Sequence, residues 1–213
     1  KLFFGKNSIS NLSKQLPKYG KKALLVLGGK SAKLNGAYSD VLSQLELAKI
    51  DVVEIWGIKP NPRVEDVEKA IALGIAEKVD MIIAIGGGSV IDSAKMIALC
   101  IPSNHQPWKV MKGKEKPTRA LPIITVLTLA ATGSEMNPFA VLQNNATHEK
   151  IGFGSPYTYP TISICDPTYT LSVSKEYTAY GLADIVAHLL EAYFGEGNAA
   201  LSDLFVISVL KEI

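Results

Sequence analysis

The stretch that most constrains this chain is Met81-Ile82-Ile83-Ala84-Ile85-Gly86-Gly87-Gly88-Ser89-Val90-Ile91-Asp92. Its first half is a continuous apolar run rich in β-branched residues, as expected of a strand covered on both faces. Three glycines and a serine follow, and then a helical pattern through Ser93-Ala94-Lys95-Met96-Ile97-Ala98-Leu99. Glycines at a strand-to-helix turn allow positive φ and let a ligand approach the backbone closely. The helix behind them offers unpaired N–H groups and the positive end of its dipole, which suits a phosphate. Ser89 and Asp92 have N-cap to N3 spacing, which predicts a capping-box-like pair. By itself this motif reads equally well as a phosphate cradle or as a tight turn with no ligand.

Bulk composition narrows the class. Over 213 residues the chain is 47% hydrophobic and 20% charged, with a formal net charge of +2. That is an ordinary globular composition, enough for one large domain or one domain with part of another. The balanced charge argues against nucleic acid or an anionic membrane as partner. No apolar run reaches the roughly 18 to 20 residues of a membrane span. The chain opens at Lys1-Leu2-Phe3-Phe4-Gly5 without a signal-peptide pattern, so the natural N-terminus is expected upstream. Cys100 and Cys165 lack metal or redox spacing and read as two buried, reduced thiols of a cytoplasmic protein.

Strands and helices alternate along the chain. Ala23 to Leu27 reads as a buried strand ending at Gly28-Gly29, followed by a helix over Tyr38 to Ala48. Asp51 to Trp56 is the next strand, stopped by Gly57 and Pro60-Asn61-Pro62, and Val64 to Ala76 is an amphipathic helix. The glycine-terminated strand is third and Leu121 to Leu127 fourth. This rhythm predicts an α/β domain, a Rossmann-like parallel sheet covered on both faces. Ligands of such sheets bind at the strands' carboxyl ends. The two turns Gly28-Gly29-Lys30-Ser31 and Gly86-Gly87-Gly88-Ser89 both fall there, which favours a shared dinucleotide site. Asn104 to Arg119 reads as an exposed, lysine-rich excursion. Ala140 to Gln143 and Lys150 to Phe153 read as a hairpin, and Ile162 to Cys165 as the last strand. Beyond Asp166-Pro167 two helical segments, Lys175 to Phe194 and Ala199 to Ile213, begin an all-helical domain. The expected division is therefore 1–166 for the dinucleotide-binding domain and 167–213 for the first helices of a helical one.

Asp184 and His188 are four apart in the second of these regions, so both side chains share one helix face. A carboxylate and an imidazole so placed can chelate a divalent cation. The same spacing also describes a plain Asp–His pair that stabilises a helix, and two ligands do not complete a site. Their neighbours in sequence are largely apolar, which would make an unpaired charge costly. The other two histidines, His105 and His148, lie in polar segments and are expected at the solvent.

Several segments together resemble one family. They are Leu2-Phe3-Phe4-Gly5-Lys6, Gly28-Gly29-Lys30-Ser31, Pro60-Asn61-Pro62 and the run from Gly86 to Asp92. Further on come Leu127-Thr128-Leu129-Ala130-Ala131-Thr132-Gly133-Ser134-Glu135-Met136-Asn137, Asp166-Pro167-Thr168-Tyr169-Thr170 and Ala183-Asp184-Ile185-Val186-Ala187-His188. In order and spacing they resemble the iron-containing alcohol dehydrogenases, closest to the NADPH-dependent branch that handles butanol and reduces aldehydes.

The resemblance implies a metal-dependent oxidoreductase that passes a hydride between NAD(P)(H) and a small primary alcohol or aldehyde. It implies that Gly87, Gly88 and Ser89 hold the pyrophosphate, with Gly86 and Asp92 in the same turn. Thr128, Leu129 and Thr132 would line the nicotinamide side, and Asn61, Asn137, Lys150 and Tyr169 would contact the cofactor. Lys30 stands where the family's first glycine turn, Gly28 to Ser31, meets the adenosine ribose. A cation there would attract a 2′-phosphate, where an acidic residue would favour NAD, so NADP is expected and NAD is the alternative. Asp184 and His188 would be the first two ligands of Fe2+ or Zn2+, and hence catalytic. The family adds two downstream histidines that this sequence lacks. The chain is therefore expected to be an N-terminal portion that binds metal weakly and does not turn over. The resemblance leaves two alternatives: a relative of glycerol dehydrogenase or dehydroquinate synthase, or a non-catalytic nucleotide-binding module. An apolar face on Leu201, Leu204, Phe205, Ile207 and Leu210 is expected to favour association, as a homo-oligomer, or aggregation.

Overall fold

The computed structural model describes residues 1–213. Eight strands run in the order β1 (Leu2–Phe4), β2 (Lys22–Leu27), β3 (Asp51–Ile55), β4 (Met81–Gly86), β5 (Ile123–Leu127), β6 (Phe139–Asn144), β7 (Glu149–Gly154) and β8 (Ile162–Cys165). The helices are α1 (Leu12–Gln15), α2 (Ser31–Leu34), α3 (Ala37–Ala48), α4 (Val64–Ala76), α5 (Gly88–Cys100), α6 (Pro107–Met111), α7 (Lys175–Tyr193) and α8 (Ala200–Glu212).

Six strands form a wholly parallel sheet in the order β1-β8-β5-β4-β2-β3, and β6 pairs with β7 as a separate antiparallel hairpin. The fold is the α/β, Rossmann-like one that the alternation of elements predicts. All six residues of β4 are buried because alternate side chains feed two cores. Ile82 and Ala84 pack with Leu24, Val26 and residues of α4 and α5, whereas Met81, Ile83 and Ile85 pack with Leu25, Val41 and Leu45 on the other face. That is why the strand reads as an unbroken apolar run instead of an alternating one.

Some expectations are corrected. Helix α5 begins at Gly88 with Gly87 as its N-cap, and no side chain caps it. Ser89 lies inside the first turn and Asp92 points away to other partners, so the capping box does not form. The segment from Asn104 to Arg119 contains α6, which buries Pro107, Val110 and Met111, so it is not a simple exposed excursion. Strand β5 starts at Ile123 because Pro122 has no N–H for the ladder, although its carbonyl accepts from Ile82. The edge strand β1, in register with β8 from Leu2↔Ser163, is three residues long, too short to announce itself by periodicity. Cys100 is buried, but Cys165 is only half-buried.

The chain divides into two compact units. One comprises residues 1–129 and 133–172 and holds the sheet, the hairpin and α1 to α6. The 3-10 turn Pro167–Thr170 belongs to it, since Tyr169 is buried in the core that packs against α3. The other unit comprises residues 130–132 and 173–213, with α7 and α8 packed against each other. Ser174 caps α7 by accepting from the amide of Tyr177 at 3.3 Å. Gly181 lets the carbonyl of Ala130 come so close to α7 that an added Cβ would lie 3.2 Å from it. No residue of α7 is buried and in α8 only Val206 is. Leu201, Leu204 and Phe205 are exposed. No helix is long and apolar enough to cross a membrane.

Candidate cofactor and metal sites

The strand order reverses direction at β2, since β3 lies on one side of it and β4 on the other. Loops leaving the carboxyl ends of β2 and β4 therefore diverge and leave a crevice between them, the usual ligand position in such sheets. The register Leu27↔Ile85 sets Gly28 and Gly86 at adjacent strand ends. Gly86↔Leu127 brings the third loop alongside, and the Thr128 amide donates to the Gly86 carbonyl at 3.1 Å. Three loops named from sequence thus meet at the carboxyl end of the sheet.

Close packing, and not positive φ, makes glycine necessary at Gly86 and Gly87. None of Gly28, Gly29, Gly86 and Gly87 has positive φ. A Cβ on Gly86 would lie 2.6 Å from Cγ2 of Val90, and one on Gly87 would lie 3.1 Å from Cβ of Leu129. At Gly28 an added Cβ would meet Val90 only in ordinary contact, at 3.4 Å. With thirteen residues, α5 presents an unpaired N-terminal turn at Gly88 and Ser89, both half-buried. In the first turn Gly29, Lys30 and Ser31 are exposed, with Lys30 at the N-cap of α2.

The other residues singled out from sequence fall in distinct places. Lys150 on β7 donates to Asn61 Oδ1 at 2.8 Å, so these two meet, and Asn61 takes the left-handed conformation (φ 56°). The hairpin that carries Lys150 is tied to the loop after β3 that carries Asn61, where the Gln143 amide donates to the Pro62 carbonyl at 2.8 Å. Thr128 is buried and Leu129 rests on Gly87, while Thr132 is exposed in the smaller unit. Asn137 Nδ2 donates to the Gly133 carbonyl at 3.0 Å, and its Oδ1 accepts from the Phe139 amide at 2.9 Å. The Tyr169 hydroxyl donates to Asp40 Oδ2 at 2.8 Å on α3, on the sheet face opposite α5. The Tyr169 carbonyl accepts from Asn35 Nδ2 at 2.9 Å, just beyond the helix α2 that the first glycine turn opens.

Asp92 faces inward. Its Oδ1 accepts from Ser134 Oγ at 2.6 Å and its Oδ2 from the Val141 amide at 3.0 Å. Burial raises its pKa, opposed by those two hydrogen bonds and by the charges of Lys95 and Lys150. Lys95, one turn on, is completely buried and donates to Ser134, Asn137 and Phe139. Burial lowers its pKa to about 8 against the opposing pull of Asp92 and Glu135. Sequence reasoning passed over Lys95, although a lysine inside the otherwise apolar run from Ala94 to Cys100 was the available signal. Burial pushes the thiols of Cys100 and Cys165 up to about 12 and about 11, so neither is a thiolate at neutral pH.

On α7, His188 Nε2 lies 3.8 Å from Asp184 Oδ1, and His188 Nδ1 lies 3.8 Å from Glu191 Oε2. The side chains of His188 and Asp184 are 63% and 45% exposed, so the apolar burial anticipated from their neighbours is absent. An imidazole and a carboxylate on successive turns fit two positions of a divalent-metal site, and no group of three or more such donors converges in the chain. His148 is exposed as expected. His105 is not: it is half-buried, with Nδ1 3.0 Å from Glu115 Oε2.

A parallel sheet with glycine turns at its switch point, leading into a long helix with an open N-terminus, defines the Rossmann-like class of α/β proteins. The chain belongs within that class to the iron-containing alcohol dehydrogenase family, whose sequence profile matches residues 1–167. It is 44% identical over its whole length to the probable NADH-dependent butanol dehydrogenase 1 of Bacillus subtilis, covering 55% of that protein. It is 36% identical to the NADPH-dependent aldehyde reductase YqhD of Escherichia coli, with 99% of this chain and 54% of that one aligned. The crystal structure of NADH-dependent butanol dehydrogenase A from Thermotoga maritima superposes with a TM-score of 0.95 at 38% identity, over 99% of this chain and 53% of that one. The chain thus spans about half the length of the relatives it matches.

Proposed function

We propose that this chain is the cofactor-binding portion of a metal-dependent, NADP-linked oxidoreductase acting on a small primary alcohol or aldehyde. The observation that carries the reading is the meeting of the turns at Gly28, Gly86 and Thr128 at the switch point, beside the open N-terminus of α5. Amides of Gly87, Gly88 and Ser89 would bind the pyrophosphate, and Thr128, Leu129 and Thr132 the nicotinamide side. The sheet-bearing unit would form the dinucleotide-binding domain, and helices α7 and α8 the first helices of a metal-binding one. Asp184 and His188 would supply two ligands for iron or zinc. When bound, the cofactor supplies or accepts the hydride and the metal supplies Lewis acidity. The protein's own part is orientation: fixed amides, a closely packed turn and an acid–imidazole pair. Two donors alone hold a divalent ion weakly, so this chain by itself is expected to be inactive.

The exposed cation Lys30 supports NADP through attraction to the 2′-phosphate. A second reading, NADH, is favoured by the relatives at 44% identity, which are named as NADH-dependent butanol dehydrogenases. Calorimetric titration with NADPH and NADH decides between them. The expected result is tighter binding of NADPH, weakened roughly tenfold by Lys30→Asp with NADH unaffected. NADH binding as tightly as NADPH would overturn the NADP preference. A folded chain that bound neither would sink the cofactor reading.

A further inference from the structure

Helix α5 carries two charges on the turns that follow its glycine start, and both engage one segment of chain. Lys95 Nζ has three N–H donors and meets three acceptors: Ser134 Oγ at 2.8 Å, Asn137 Oδ1 at 3.2 Å and the Phe139 carbonyl at 2.7 Å. Asp92 accepts from Ser134 Oγ and from the Val141 amide, so the Ser134 hydroxyl bridges the anion and the cation. Between β5 and the start of β6 there is no strand or helix to hold the backbone. Side chains do that work instead. Asn137 joins Lys95 to the carbonyl of Gly133, a residue in the left-handed region (φ 64°), and the Ser163 hydroxyl donates to the Glu135 carbonyl at 2.6 Å. A fully buried ammonium is costly unless all its donors are matched, and here every matched donor serves this one loop.

We propose that Lys95 is a positioning residue for the cofactor: with Asp92 it locks residues 133–139 onto α5, holding Gly133 and Asn137 in fixed register with the Gly87-Gly88-Ser89 turn. The inference rests on the cofactor reading above. Lys95 acts through Ser134 and Asn137.

The grip depends on protonation. A neutral amine has two N–H groups for three acceptors and turns a lone pair toward one of them. Burial lowers this ammonium to about 8, so the lock loosens as pH rises through that value. The charged groups acting on it are Asp92 from its own helix and Glu135 from the loop; Lys150 on β7 acts on Asp92. The β6 side presents the carbonyl of Phe139.

Two readouts on the same chain test this: NADPH affinity from near pH 7 to near pH 9, and hydrogen exchange of amides 133–139, corrected for intrinsic rates. In the unaltered chain both should weaken through about pH 8. Lys95→Met keeps length and packing but supplies no donor. It should raise the NADPH Kd about tenfold, speed exchange of 133–139, and abolish the inflection in both. Ile91→Ala, a cavity variant in the same helix, should lower stability yet keep the inflection, which separates positioning from general destabilisation. If Lys95→Met does not fold, Ser134→Ala, which removes the bridge and keeps both charges, should speed exchange of the same amides. Affinity within about twofold of the unaltered chain, with protection of 133–139 retained, would overturn the proposal. Loss of protection in a chain that binds no nucleotide would leave the lock standing and overturn the cofactor reading.

Discussion

Asp166 closes the corner where β8 gives way to the turn Pro167–Thr170. Its Oδ1 accepts from the amide and the hydroxyl of Thr168, at 3.0 and 2.7 Å, and its Oδ2 accepts from the amide of Asn7 at 2.5 Å. Burial alone would raise its pKa, but these bonds to the anion outweigh it and the net shift is downward. A carboxylate whose pKa is lower folded than unfolded stabilises the fold above its unfolded value, and that contribution is lost as pH falls through the folded value. Asp166→Asn should therefore be less stable than the unaltered chain near neutrality, with the difference closing as pH drops below about 4. Urea unfolding at a series of pH values measures this, and a difference that widened toward acid would contradict it. The sequence marks Asp166-Pro167 as a change of character, where the sheet gives way to helices. It does not show that Asn7, far away in the chain, supplies one of the donors.

The element that organises the site is the junction of β4 with α5. Its glycines are needed because Val90 and Leu129 pack against the turn. Val90 is β-branched and held in a full core, so it cannot swing away from a new methyl group. Gly86→Ala should cost about 1–3 kcal/mol by overpacking. Gly29→Ala should stay within about 0.5 kcal/mol, since nothing lies within 4 Å of its added Cβ. Thermal or urea unfolding of the two variants side by side provides the comparison. Equal costs would mean that the turn relaxes, and that packing does not explain the glycine.

At the scale of the whole molecule the two units differ in what they bury. The α/β unit has two cores, one on each face of the sheet, with β2, β4 and β5 between them. In the other unit, α7 buries no residue and α8 buries Val206 alone. Local stability follows buried apolar contact, so amides of 175–212 should exchange with solvent much faster than those of β4 and β5. Exchange read by mass spectrometry on this chain would show equal protection if that were wrong.

What the sequence determined by itself is what depends on near neighbours in the chain. The strand and helix periods from Ala23 to Leu127, the glycine turn at a strand end, the hairpin, and the Asp184–His188 spacing were all legible, as were the motifs that point to the family. What only the tertiary structure decided depends on residues far apart in sequence. It sends the Tyr169 hydroxyl to Asp40, turns Asp92 to Ser134 and Val141 where a helix cap was expected, and buries Lys95 against a loop some forty residues on. Period and spacing are properties of a few bonds of chain. Burial and hydrogen-bond partners are set by which segments the sheet order brings together, so a lysine's place is settled only when its loop has folded over it.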